Sequence, residues 1–489
     1  MNVSLHPVDW AIVSGYLLLM LGMGIVLASR IHQFKDYFLA GGMLTTPLLV
    51  CTLVSTYYEL DVTFATSESG FYYGLVSWVW LSRPYYVAIL IAALLLARRL
   101  KRYDFMTLPD LLEHQYGKGT RVVGALACLV YSLPITALAG MSVMFETLGW
   151  SQEVGILVAV GICVAYTMLG GLWADAISDT VQFVLMCVSL AVAIPLALQW
   201  IGGFGFVTSL PAAHMTGTGG LSPWLIVAWT TGALTVFVEP AFYQRIFAAK
   251  DSRSIVQALI IGVLLWAAYD WGVTLIGMVA RAAVAMHLLP EALEGKQALL
   301  TVCLQTLPLG LRGLFIGGVL AAAMSSVDSY CLLASGNVVY DIYRPLSRRG
   351  LSDRTMLRLT RVGTFGVMLV AVVVSLAFER ILDAWVFLAS VLVSVVFVPV
   401  MGALFTQTRG PAGLYASTAG VAGLIAFYGV VYTFGIYDQD NASYVWRWGG
   451  MEFWREYAAL VALPISLMGF VVGSRLRSPA WPLPPGSVS

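Results

Sequence analysis

Ala322, Ser325 and Ser326 stand three and four residues apart, so a helix would place them on one face. Two hydroxyls beside a backbone carbonyl offer the oxygen ligands that a hard cation takes. The same small residues also let two helices pack closely, and both readings stand at this point. Further ionisable groups sit in long apolar runs: Glu59, Asp61, Glu68, Glu239, Asp270, Asp328 and the single base Arg83. In a lipid environment each such group is costly and faces a cavity or a partner. Arg83 paired with one acid would lock helices together; seven such groups predict a polar path through an apolar body.

The elements that must position these residues follow from composition. Of 489 residues, 59% are hydrophobic and 11% charged, and the mean hydropathy is +0.84. Soluble chains carry about 25% charged residues, so lipid is the solvent for most of this one. A disulfide scaffold, a disordered regulator and a cytosolic enzyme are excluded. The net charge of +1 gives no reason to expect a nucleic-acid partner. The six cysteines are scattered without CxxC spacing, and neither a transition-metal site nor a disulfide framework is expected.

A membrane helix needs about 20 mostly apolar residues. About thirteen such stretches are readable, near 9–29, 47–73, 76–97, 121–149, 153–172, 178–200, 223–243, 254–283, 310–340, 358–379, 382–405, 411–436 and 456–474. They are numbered here as spans 1 to 13. Arg30 and Lys35 follow span 1 and nothing basic precedes it, which predicts an uncleaved first span and an outside N-terminus. Most of the 27 basic residues then fall in cytoplasmic connections, among them Arg98, Arg99, Arg121, Arg245, Lys250, Arg344, Arg348 and Arg354. Thirteen spans put the C-terminus in the cytoplasm. The longer outer connections, about 201–222, 284–309 and 437–455, have room for short helices or gates, and the Pro- and Ser-rich tail is expected to be disordered. The expectation is an all-α, multi-pass protein of the plasma membrane, of the bacterial inner-membrane type.

Span 2 has a polar, aromatic centre, Ser55-Thr56-Tyr57-Tyr58-Glu59-Leu60-Asp61, where an anchor would carry Leu and Val. Span 7 has a small-residue stretch, Trp229-Thr230-Thr231-Gly232-Ala233, five spans later. Interrupted helices at corresponding positions of two five-span halves point to an inverted-repeat transporter, because irregular backbone at that depth persists only where it lines a cavity.

Four stretches carry a family resemblance. Gly170 to Gln182 (GGLWADAISDTVQ) resembles a GGLxAxxxTDxxQ signature, and Gln244 to Asp251 (QRIFAAKD) a QRxxAAKD segment. The run from Ala321 to Arg344 resembles AAxMSSxDSxLLxxSxxxxxDIYR, and Thr107 to Gly117 reads TLPDLLEHQYG. Taken in chain order, and in the expected loops and spans, they resemble the sodium:solute symporter family. The resemblance implies a leucine-transporter-like core with broken spans 2 and 7. Residues 46–200 and 201–409 would be the two inverted repeats, and 1–45 and 410–475 peripheral, with 476–489 as the tail.

The resemblance also implies sites. Na+ would be held by the carbonyls of Ser55, Tyr58 and Ala322 and the hydroxyls of Ser325 and Ser326. Asp179 matches an aspartate of the sodium release path, and the equivalents of Asp179, Asp328 and Ser329 contribute to a second ion site in some members. Asp328 stands where those members carry a hydroxyl, so a second sodium, a proton site and a structural hydrogen bond are all open here. Tyr57 stands where proline symporters carry an aspartate, and Trp266 where sugar symporters carry a lysine, which argues against a sugar. Arg83 is expected to grip a solute carboxylate, with Asp61 and Asp270 facing an amine and Tyr57, Thr231 and Gly232 nearby. The predicted function is sodium-coupled import of a small carboxylate-bearing solute such as an amino acid. A proton-coupled or uncoupled transporter of the same fold and a nutrient receptor are the alternatives; no catalysis is expected.

Overall fold

Apolar runs of this length cannot leave backbone amides and carbonyls unpaired, and helices satisfy them within each segment. The computed structural model describes residues 5–27, 33–58, 60–347, 351–375, 381–438 and 443–476, without the side chain of Asp61 and those of much of 152–170. Among the described residues, ten helices are long and apolar enough to cross a membrane, or eleven if the bent pair in span 2 counts as one. The other two expected stretches are Pro7–Leu27, whose apolar part is shorter, and the first half of the helix Gln152–Trp200. The tail from 477 onward lies outside the described residues.

That 49-residue helix turns at Gly171, where φ is 54° and ψ −171°. A Cβ there would come within 2.6 Å of the Tyr37 ring and 2.7 Å of its carbonyl oxygen. The short helix Phe34–Leu39 therefore seats against bare backbone, and only glycine suits both the angle and the contact. Spans 5 and 6 meet at this corner.

Span 9 runs from Leu311 through Gly336, continues as a π-helical turn over Asn337–Tyr343 and ends at Leu346. Its apolar window is wholly buried, whereas that of Asp353–Ser375 is 28% buried. Span 9 is thus the central strut, packed by spans 1, 2, 4, 6 and 10. Span 8, Ser252–Ala285, lies along the second half of span 2. A Cβ on Gly277 would come within 2.1 Å of the Ser67 carbonyl, and one on Gly70 within 2.7 Å of the Thr274 carbonyl. Small residues bring the two backbones together there.

Two features add to the sequence reading. The chain is not purely helical: β1 (Ile436–Asp438), β2 (Ser443–Trp448) and β3 (Met451–Trp454) form an antiparallel sheet between spans 12 and 13. Gly449 and Gly450, at φ 58° and 79°, supply the tight β2–β3 turn. Secondly, Arg121 and Arg245, assigned from sequence to cytoplasmic loops, are buried. Arg121 pairs with Asp110 at 3.1 Å and Asp341 at 2.8 Å, and also with Glu113. Thr107 adds a 2.8 Å hydrogen bond to Asp341. The TLPDLLEH segment is thereby fastened to span 4 and to the end of span 9.

Candidate ion and solute sites

The first half of span 2, Thr46–Tyr57, ends at Tyr58 (φ −90°, ψ 53°), and the chain resumes as Leu60–Tyr73 with a bend of 52°. A helix that stops leaves its last carbonyls without intrahelical amides, and Ser55 lies in that last turn. Thr56 approaches span 9 directly, its hydroxyl 3.2 Å from that of Ser329. One turn earlier on span 9, the Ser325 hydroxyl is buried without a hydrogen-bond partner. The Ser326 hydroxyl donates to the Ala322 carbonyl at 2.9 Å.

Span 6 closes the third side. Ser55 donates to the Asp179 carbonyl at 3.0 Å. The Asp179 side chain is fully buried, and neither of its carboxylate oxygens has a well-formed hydrogen bond. The hydroxyls of Thr52 and Ser325 are its neighbours. Buried oxygens of this kind are normally satisfied. Collected where three helices meet, a carboxylate, a free hydroxyl and helix-end carbonyls suit a hard monovalent cation such as Na+. Tyr58 could contribute only its backbone, because its hydroxyl donates to the Trp266 carbonyl at 2.5 Å.

The residues expected to form a second ion site have different partners. Ser329 accepts from Arg245 Nη2 at 2.6 Å and donates to Asp175 Oδ2 at 2.9 Å. Asp328 lies instead beside Tyr37 and Cys331. The same Arg245 nitrogen reaches Asp175 at 3.1 Å, Thr52 at 3.2 Å and Thr56 at 2.8 Å. This knot of spans 2, 6, 7 and 9 was not found in the sequence. An Asp four residues before Asp179, in the same motif as it, was the available signal.

A cavity with about 1040 Å3 of open space, the solvent at its mouth included, lies beside the break. Tyr57, Tyr58 and Asp270 line it. Span 3 contributes Ser82, Tyr85, Tyr86 and Ile89, one helical stripe in Ser77–Ser82 and Arg83–Leu95. Arg83 is off that stripe: it is exposed, and its guanidinium carbon lies 6.0 Å from the Trp80 ring centroid. Arg83, expected to grip a solute carboxylate, is therefore not part of the cavity wall.

Span 7 breaks later than its small residues suggested. Pro223–Gly232 stays helical, with the Thr230 and Thr231 hydroxyls bonded to carbonyls one turn back. Unwinding begins with the 3-10 turn Ala233–Phe237, and the helix restarts at Pro240 with Glu239 as its N-cap residue. Thr231 and Gly232 thus lie outside the cavity, whereas Thr235 and Glu239 line it. An acid followed by proline is a helix-start signal, and it marked the true break. Glu59 and the side chain of Asp61 lie outside the described residues.

Two interrupted helices, a set of buried oxygens at one break and a cavity beside it fit a membrane transporter with the leucine-transporter-like fold. A model of the sodium:solute symporter family matches residues 37–420, and the chain belongs to that family. It is 25% identical over 382 residues to the osmoregulated proline transporter OpuE of Bacillus subtilis, covering 74% of this chain and 76% of that one. It is 24% identical over 444 residues to the human high affinity choline transporter 1, covering 80% and 72%. Its fold matches a substrate-bound, outward-open Na+-coupled sialic acid symporter with a TM-score of 0.79 at 17% identity, over 97% of this chain and 99% of that one.

Proposed function

We propose that this protein is a sodium-coupled symporter that imports a small organic solute by alternating access. The observation that carries the reading is the buried Ser325 hydroxyl beside the buried Asp179 carboxylate, neither with a well-formed hydrogen bond, where spans 2, 6 and 9 meet. Na+ bound there is held by Ser325 and Ser326 with the carbonyls of Ser55, Tyr58 and Ala322, and Asp179 receives it on the way out. Family membership and relatives named as proline and choline transporters support transport rather than catalysis.

The coupling follows from linkage. Tyr57 and Tyr58 belong both to the broken segment and to the cavity wall, so an ion that fixes the break also fixes the solute's surroundings. Each ligand then raises the affinity for the other by the same factor. One Na+ driven by about 100 mV contributes about 2.3 kcal/mol, and a tenfold gradient adds about 1.4 kcal/mol. In this reading the N-terminus lies outside, the C-terminus in the cytoplasm, and residues 46–200 and 201–409 move as the two repeats.

Solute uptake into proteoliposomes tests the proposal. Replacing external Na+ with N-methylglucamine should abolish accumulation. Ser325→Ala should raise the half-saturating Na+ concentration about tenfold, the equivalent of one lost ligand of roughly 1.4 kcal/mol. Accumulation indifferent to Na+ overturns the reading.

A further inference from the structure

Among its described residues, the cavity has two acids and no base. Glu239 and Asp270 line it, 3% and 4% exposed, and no Lys, Arg or His is among the described residues of its wall. Arg83 is outside, and Arg245 is turned toward Asp175 and Ser329. Tyr330 donates to Glu239 Oε1 at 2.7 Å. Tyr86 donates to Asp270 Oδ2; the Tyr58 and Ser82 hydroxyls are also neighbours of this carboxylate, and Asp270 Oδ1 has no well-formed hydrogen bond.

Tyrosine and tryptophan rings make up much of the remaining wall. Tyr57 and Trp266 stand 5.3 Å apart between ring centroids, and Tyr58 and Trp266 6.5 Å. On another side, Tyr85 and Trp385 are 5.8 Å apart. Aromatic faces present negative potential and attract ammonium groups, and a buried carboxylate needs a counter-charge. A carboxylate-bearing solute would meet two acids, with no guanidinium or ammonium to receive it.

We propose that the solute is a compact organic cation, a quaternary or protonated ammonium of about choline's size, with Asp270 as its counter-ion and the Tyr57, Tyr58 and Trp266 rings as its cage. This rests on the symporter reading for the site and goes beyond it in the solute's charge. It replaces the carboxylate-bearing solute expected from the sequence.

The test is radiolabelled choline binding to the purified full-length protein, with and without Na+, alongside 22Na+ binding. Choline should bind saturably, and at least tenfold more tightly than 3,3-dimethyl-1-butanol, its neutral carbon isostere, or L-proline, measured as competitors. Asp270→Asn should weaken choline at least tenfold and leave 22Na+ binding in place. Equal competition by the isostere or by proline overturns the proposal, as does absence of saturable choline binding while 22Na+ still binds. The isostere comparison uses the unaltered protein, so it decides the matter even if Asp270→Asn fails to fold. Choline binding that is retained without any 22Na+ binding supports the cationic solute and overturns only the sodium coupling.

Discussion

Arg245 Nη2 donates to Ser329 Oγ across 2.6 Å, tying span 7 to span 9 one turn from the Ser325 hydroxyl. The guanidinium is wholly buried, and its ion-pair partner Asp175 is 4% exposed. Thr52 and Thr56 of span 2 accept from the same nitrogen. One fixed positive charge therefore holds four spans beside the proposed sodium site.

Removing that charge should be costly. Arg245→Met leaves Asp175 buried without its ion-pair partner, and the loss should be about 3–5 kcal/mol. The double variant Arg245→Met with Asp175→Leu should recover most of it, since a buried pair is worth little more than apolar packing of the same volume. Thermal unfolding in detergent of the single and double variants checks both outcomes.

Arg83 should be dispensable. Its side chain is exposed and off the face that lines the cavity. Arg83→Ala should leave the KM for solute within about twofold, in keeping with the small effects of surface changes. Concentration-dependent uptake measures this directly, and a large rise in KM would return Arg83 to the site.

Gly277 is expected to tolerate no side chain. A Cβ would fall 2.1 Å from the Ser67 carbonyl oxygen, a backbone atom with no rotamer to yield. Gly277→Ala should cost about 1–3 kcal/mol through overpacking. The midpoint of thermal unfolding should fall accordingly, while Gly366→Ala, with nothing within 4 Å of its Cβ, serves as the control.

His214, in the connection between spans 6 and 7, should make stability depend on pH. Burial holds its imidazole below the ordinary 6.5, and its Nε2 lies 3.0 Å from the Phe71 carbonyl. Above 6.5 the ring is neutral in both folded and unfolded chains, and its contribution is fully present. As pH falls below 6.5 the unfolded chain takes up a proton that the folded chain resists, so stability is lost. Unfolding midpoints should fall between pH 7 and pH 5, and His214→Gln should flatten that slope.

How much of this was legible in the sequence depends on the kind of signal. Hydropathy located the helices because lipid imposes length and apolarity on each segment separately. The break in span 2 was legible because Glu59, Tyr57 and Tyr58 interrupt an apolar run. In span 7, Thr231 and Gly232 misled: threonine hydroxyls can bond back to their own helix, and glycine can pack against a neighbour such as Trp385. Arg83 misled because its placement depends on which way span 3 faces, which the stripe Ser82, Tyr85, Tyr86 and Ile89 could have shown. For Asp175 with Arg245, the motif position of Asp175 marks the acid, but a partner 70 positions away leaves no local pattern that names it.

Span 9 has a consequence for how the protein is made. Its polar stretch, Ser325, Ser326, Asp328 and Ser329, is poorly suited to lateral release into bare lipid. Most of the helices that enclose it come earlier in the chain, with span 10 the main later one. Chain order thus lets a ribosome deliver the enclosing wall first, so the growing polypeptide meets a prepared slot when its least greasy segment arrives.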